Sequence, residues 1–82
     1  MKYLKLISFN RQRCILLPLS RFVRLLAYKD SSGVISSLNF YFTDFDNQSY
    51  KIEIHDNCCD IQIEFEKFIV NDFQILELVC NF

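Results

Sequence analysis

The side chains with the most reactive chemistry are gathered in one short run, His55-Asp56-Asn57-Cys58-Cys59-Asp60. His55 is the only histidine of the chain. Beside Cys58 it could serve as the base of a Cys–His pair, drawing off the thiol proton to leave a nucleophilic thiolate. The partners of such pairs are brought together by the fold and seldom by adjacency in sequence. A zinc site drawn from His55, Cys58, Cys59 and one distant cysteine meets a similar objection. Structural zinc ligands come in pairs about two to four residues apart, and Cys58-Cys59 are adjacent. With Cys14 and Cys80 the chain has four cysteines, which outside an oxidising compartment are expected to be reduced thiols packed as small hydrophobes. Asp44-x-Asp46-x-Gln48 begins like a calcium loop, yet Ser49 and His55 stand where that loop needs its glycine and its bidentate glutamate. A single glycine cannot build a phosphate-cradling loop. The residues therefore lead to no catalytic group, no metal and no cofactor.

Charge is the more informative signal. Residues 1–29 carry Lys2, Lys5, Arg11, Arg13, Arg21, Arg24 and Lys29 with no acid, a net of +7. Residues 30–82 carry Lys51 and Lys67 against ten acids, a net of −8, which leaves −1 overall. Three outcomes follow. The halves can interleave so that opposite charges become neighbours and cancel. Alternatively Arg11, Arg13, Arg21 and Arg24 form a basic patch for nucleic acid or an anionic small ligand, with Tyr3, Phe9, Phe22 and Tyr28 as stacking platforms; the acidic pI near 5.7 opposes this. In the third, Asp44 and Asp46 in a turn and Asp60, Glu64 and Glu66 on a helix dock a basic protein surface, as compact inhibitors do.

The elements that must position these residues are legible from periodicity. Leu38, Phe40 and Phe42 alternate with Asn39, Tyr41 and Thr43, and Tyr50, Ile52 and Ile54 alternate with Lys51, Glu53 and His55, so residues 38–55 form a hairpin closed by Asp44-Phe45-Asp46-Asn47-Gln48. Residues 3–9 read as a strand, 10–13 as a polar turn and 14–17 as an apolar strand ended by Pro18. The run 19–28 fits either a turn followed by a strand, which is favoured, or a basic amphipathic helix. As a strand it puts Phe22, Leu26 and Tyr28 on a face with Arg24. Lys29-Asp30-Ser31-Ser32-Gly33 is a turn. After Asp56 or Asn57 as cap, Cys58, Ile61, Phe65 and Phe68 recur at helical spacing, with Ile63, Ile69 and Val70 widening the apolar arc. Residues 73–80 form a last strand with apolar residues on both faces, suited to the inside of a sheet or to cover by a partner.

The segments FNRQRCILLPLSRFVRLL, FYFTDFDNQSYKIEI and DIQIEFEKFI, taken in that order, resemble the small flagellar FlbD-type proteins over residues 4–70. The resemblance implies a β-meander with a packed helix and carries no implication of a flagellar role.

At 82 residues the chain is one domain with a marginal core, and its 51% hydrophobic content, including thirteen Phe and Tyr, compensates. The expectation is an α+β fold, mostly antiparallel, with five or six strands as a partly open barrel or meander, one helix in the C-terminal half, and then a last strand. It carries no leader-like or membrane-spanning run and reads as cytoplasmic. The expected function is a non-catalytic interaction module, a small inhibitor or adaptor that self-associates or binds a protein partner. The alternative is a nucleic-acid or anionic-ligand binder.

Overall fold

The computed structural model describes residues 1–82. In chain order its elements are β1 (Tyr3–Ser8), β2 (Cys14–Pro18), a 3-10 turn (Leu19–Arg21), β3 (Phe22–Lys29), β4 (Ile35–Thr43), β5 (Ser49–Ile54), α1 (Cys58–Val70) and β6 (Ile75–Cys80). The fold is α+β, with its strands divided between two three-stranded sheets, β2-β1-β6 and β3-β4-β5. The sheets are not closed into a barrel. Three ladders are antiparallel; the fourth, β1 with β6, is parallel.

Period-two patterning decides which side of each sheet is dry. Leu38, Phe40, Phe42, Ile52 and Ile54 point inward from β4 and β5, Leu4, Leu6, Leu17, Leu78 and Cys80 from the first sheet, and Cys58, Ile61 and Phe65 from α1, making one core cluster. Phe65 is the hinge of this packing: its ring meets Phe40 at 5.0 Å and Phe22 at 5.1 Å, both edge-on. Each such side chain stabilises the fold by about 1.5–3 kcal/mol relative to exposure. Tyr50, expected among the inward set, stacks on Phe42 at 5.9 Å but stays partly exposed at the rim.

The ambiguous run 19–28 resolves into a turn and a strand. A bulge at Val23 shifts the register between Phe22 and Arg24, so Phe22 turns into the core and does not share a face with Arg24, Leu26 and Tyr28. Strict alternation cannot anticipate the extra residue. The expected helix cap is also different. Asn57 takes the left-handed conformation (φ 49°) and neither it nor Asp56 caps with its side chain; Asp56 Oδ1 instead accepts the backbone amide of Asn81 at 2.7 Å. Only Cys58, Ile61, Phe65 and Phe68 of α1 are buried. Ile63, Ile69 and Val70 lie on solvent-facing positions, so the helix is covered on one side and not on several.

Lys2 completes the framework. Its Nζ donates to the carbonyls of Phe68, Ile69 and Asn71 and lies 4.9 Å from the Phe68 ring centroid. A cation there meets the negative end of the helix dipole and the orphan carbonyls of the last turn. The chain leaves α1 beside Lys2 and enters β6 next to β1, where Tyr3 N donates to Gln74 O at 2.8 Å. β6 is an edge strand, which sets aside the first of the two alternatives, a strand inside a sheet, and leaves cover by a partner open. Leu76, Leu78 and Cys80 face inward, and Ile75 and Val79 face out. No helix is long and apolar enough to cross a membrane.

Candidate functional site

The four arginines nominated as a basic patch are not gathered. Arg11 occupies the β1–β2 turn with φ 58°. Arg13 donates from Nη1 to Phe82 O at 3.1 Å and its guanidinium sits 4.9 Å from the Phe82 ring. Arg21 donates to Asp44 O at 3.0 Å and lies 4.9 Å from the Phe45 ring. Arg24 lies 4.7 Å from the Tyr41 ring. With Lys2, four cations stack on aromatic rings in 82 residues, where roughly one is usual. Lys2, Arg13, Arg21 and Arg24 are therefore each held in place by a ring, at separate positions. The one ion pair joining the basic and acidic halves is Lys5–Glu77, at 3.6 Å.

The acidic candidates are likewise dispersed. Asp44 Oδ1 accepts the amides of Asp46 and Gln48 at 2.9 and 2.8 Å, so this carboxylate shapes the β4–β5 turn. Asp60 lies at the other end of β4, beside Val34 and Ile35, roughly 30 Å away along a nine-residue strand. Glu64 is exposed, and Glu66 accepts from Gln62 Nε2 at 3.3 Å. No continuous acidic face joins the turn to the helix.

His55 and Cys58 do not meet as a dyad. His55 Nε2 turns outward to Glu53 Oε2 at 3.4 Å, while Cys58 is buried and its Sγ donates to Ile54 O at 3.5 Å. Burial, with Asp56 and Cys59 nearby, pushes the Cys58 thiol up. Burial and then Asp56 push Cys80 up to about 11. Both thiols are protonated near neutrality and weak as nucleophiles. Cys14 and Cys59 are exposed, contrary to the expectation of four buried thiols, and all four are free. No three His, Cys, Asp or Glu side chains converge as a metal-binding group.

What the fold assembles is a seam. β2 and β5 are edge strands of different sheets; one hollow lies between β5 and Arg13, the residue that precedes β2, and another is lined by residues of both strands. One, of about 430 Å³, is bounded by Arg13 at the β1–β2 turn, Lys51, Glu53 and His55 on β5, and Asn81 and Phe82 after β6. The other, of about 280 Å³, lies between Leu16, Leu17 and Pro18 on β2 and Arg21, Asp44, Phe45 and Tyr50. Along the first, Lys51 Nζ holds Glu53 Oε1 at 2.8 Å, an interaction that lowers the glutamate's pKa and raises the lysine's. Lys51 and Glu53 do not stand out in the sequence as site residues, and His55 does so only for a Cys–His pair or a zinc site. Their shared outward face was visible in the alternation, but β5's position at an edge facing β2 was not.

The two outer sheet faces differ in kind. That of β2-β1-β6 carries Leu16 (55% exposed), Ile75 (56%) and Val79 (41%) around Ile7, with Lys5–Glu77 as its ion pair. That of β3-β4-β5 carries the cross-strand row Arg24–Tyr41–Lys51, with Tyr28 further along. Family models, curated proteins and solved structures yield no match to this chain, so the functional reading rests on its own geometry.

Proposed function

We propose that the protein is a non-catalytic interaction module, a small inhibitor or adaptor that self-associates and binds a protein partner. The observation that supports this reading is the uncovered apolar outer face of β2-β1-β6. Leu16 on β2 and Ile75 and Val79 on β6 are each at least two-fifths exposed; Tyr3 and Pro18 beside them are partly exposed, and Ile7 between them is buried. Covering such a face contributes about 25 cal/mol per Å² of apolar area removed from water. Exposed apolar side chains grouped on one sheet face, here on either side of the Lys5–Glu77 pair, suit association, and a second copy meeting the same face across a two-fold axis covers them on both chains. The test is carbene footprinting at low and high protein concentration. Labelling of Leu16, Ile75 and Val79 falls with concentration while that of Phe45 and Val34 holds steady; equal labelling of all five sites throughout overturns the self-association.

A second reading, binding of a single-stranded nucleic acid or anionic ligand, has its support in the row Arg24–Tyr41–Lys51 on the opposite sheet face. A cation flanked by a ring on an antiparallel surface suits base stacking with phosphate neutralisation. Glu53 beside Lys51 weakens the local field. Fluorescence anisotropy with an oligothymidylate separates the two: binding that falls steeply with salt and is lost in Tyr41→Ala supports this second reading.

A further inference from the structure

The seam between β2 and β5 has a geometry that neither sheet face shares. In the β1–β2 ladder, Ser8 N donates to Arg13 O and Leu19 N to Lys2 O. Bonded pairs alternate along an antiparallel ladder, so residues 13, 15, 17 and 19 turn their backbone groups to β1, and Cys14 and Leu16 turn theirs to the seam. In the β4–β5 ladder Asp44 N donates to Gln48 O. By the same alternation residues 50, 52 and 54 are bonded to β4, and the amides and carbonyls of Lys51 and Glu53 face the seam. Two rows of unpaired backbone groups thus border the gap between the sheets, whose two ends are marked by the two hollows. Pro18 lacks an amide and removes one donor from the β2 row, which blunts that edge against unspecific pairing.

We infer that this groove binds one extended segment of an acidic partner protein by strand addition, closing the gap between the two sheets. The inference rests on the interaction-module reading and names the partner's chemistry. Charge complementarity selects it: Arg13 and Lys51 stand at one end of the groove and Arg21 at the other. Of the two carboxylates present, Asp44 is committed to its own turn and Glu53 pairs with Lys51 at 2.8 Å, which leaves Arg13 and Arg21 as the lining cations without an acid partner. Backbone pairing supplies affinity and the alternate side chains of the incoming strand supply specificity. Its acidic residues meet Arg13, Lys51 and Arg21, and its apolar residues enter the hollow beside Leu16, Leu17 and Tyr50.

Three fluorescent nine-residue peptides provide the probes: one alternating glutamate and valine, one alternating lysine and valine, and one with prolines replacing alternate valines. The 82-residue chain binds the first, and not the second or third, by anisotropy. Amides of Cys14, Leu16, Lys51 and Glu53 become protected from hydrogen exchange in that complex. Arg13→Glu with Lys51→Glu weakens binding by about tenfold or more with an unchanged far-UV circular dichroism spectrum. The inference is overturned if the proline peptide binds as well as the first, if those four amides stay unprotected, or if an oligothymidylate competes for the seam and binds more tightly than the acidic peptide. Lack of peptide binding in a protein that still covers Leu16 and Val79 by self-association removes the seam and leaves the interaction module standing.

Discussion

The outer faces of the two sheets are built on one pattern and end in opposite chemistry. Inward positions of both alternate apolar side chains toward the same core, and Phe40 and Leu6 are equally dry. Outward, β3-β4-β5 presents Arg24, Tyr41, Lys51 and Glu53, a solvated surface. β2-β1-β6 exposes Leu16, Ile75 and Val79 around the buried Ile7, interrupted by the Lys5–Glu77 pair. The difference shows that the high apolar content of the chain serves more than its core. A surplus is placed on one side of one sheet, where Leu16, Ile75 and Val79 stay 41–56% exposed in the single chain.

Substitutions at matched inward and outward positions sharpen that comparison. The largest effect is expected at Phe65, whose ring ties β3 and β4 to the helix: Phe65→Ala costs about 3–5 kcal/mol by urea unfolding. Lys2→Met keeps the stem over Phe68 and removes the charge and its bonds to three carbonyls, with an expected loss of about 1–2 kcal/mol. The outward Leu16→Ser changes the unfolding free energy of the isolated chain by no more than about 0.5 kcal/mol. A core-sized loss there would mean that the face is packed and not exposed, and would break the comparison.

Ionisation of Cys80 supplies a pH arm. Its thiol has a folded pKa of about 11 against an ordinary 9.0, so the folded chain holds this proton more tightly than the unfolded one. The stability this confers is complete below pH 9 and is lost as pH rises from there through about 11. Cys80→Ala flattens the fall in urea midpoint over that window relative to the parent. With an alkylating reagent at mildly alkaline pH, Cys14 and Cys59 react in the native protein while Cys58 and Cys80 are spared. The smallest effect belongs to the exposed Lys5–Glu77 pair, whose double-mutant cycle yields about 0–1 kcal/mol.

Much of the framework was legible in the sequence because one physical rule governed it. Alternation located β4, β5 and the inward Phe and Ile set, and the recurrence of Cys58, Ile61, Phe65 and Phe68 located the buried side of α1. Where two effects competed, patterning fell short. The bulge at Val23 reversed the face of Phe22. Ile63 and Val70 read as core because periodicity reports hydrophobicity and cannot say whether anything lies opposite. The seam was illegible for a different reason. Which strands end at an edge is fixed by the parallel β1–β6 pairing, a long-range contact set up by Lys2 and the end of α1, and no local signal encodes it. The charge asymmetry, prominent in sequence, did not become one basic patch, because Arg13, Arg21 and Arg24 each pack on a different ring.

Light-scattering mass as a function of concentration, for the parent chain and for Leu16→Glu, tests the central claim most directly. The account predicts a parent mass that rises above the 9.8 kDa of one chain and returns to it in Leu16→Glu, with both proteins equally folded. A parent that stays at the single-chain mass at every concentration would contradict it.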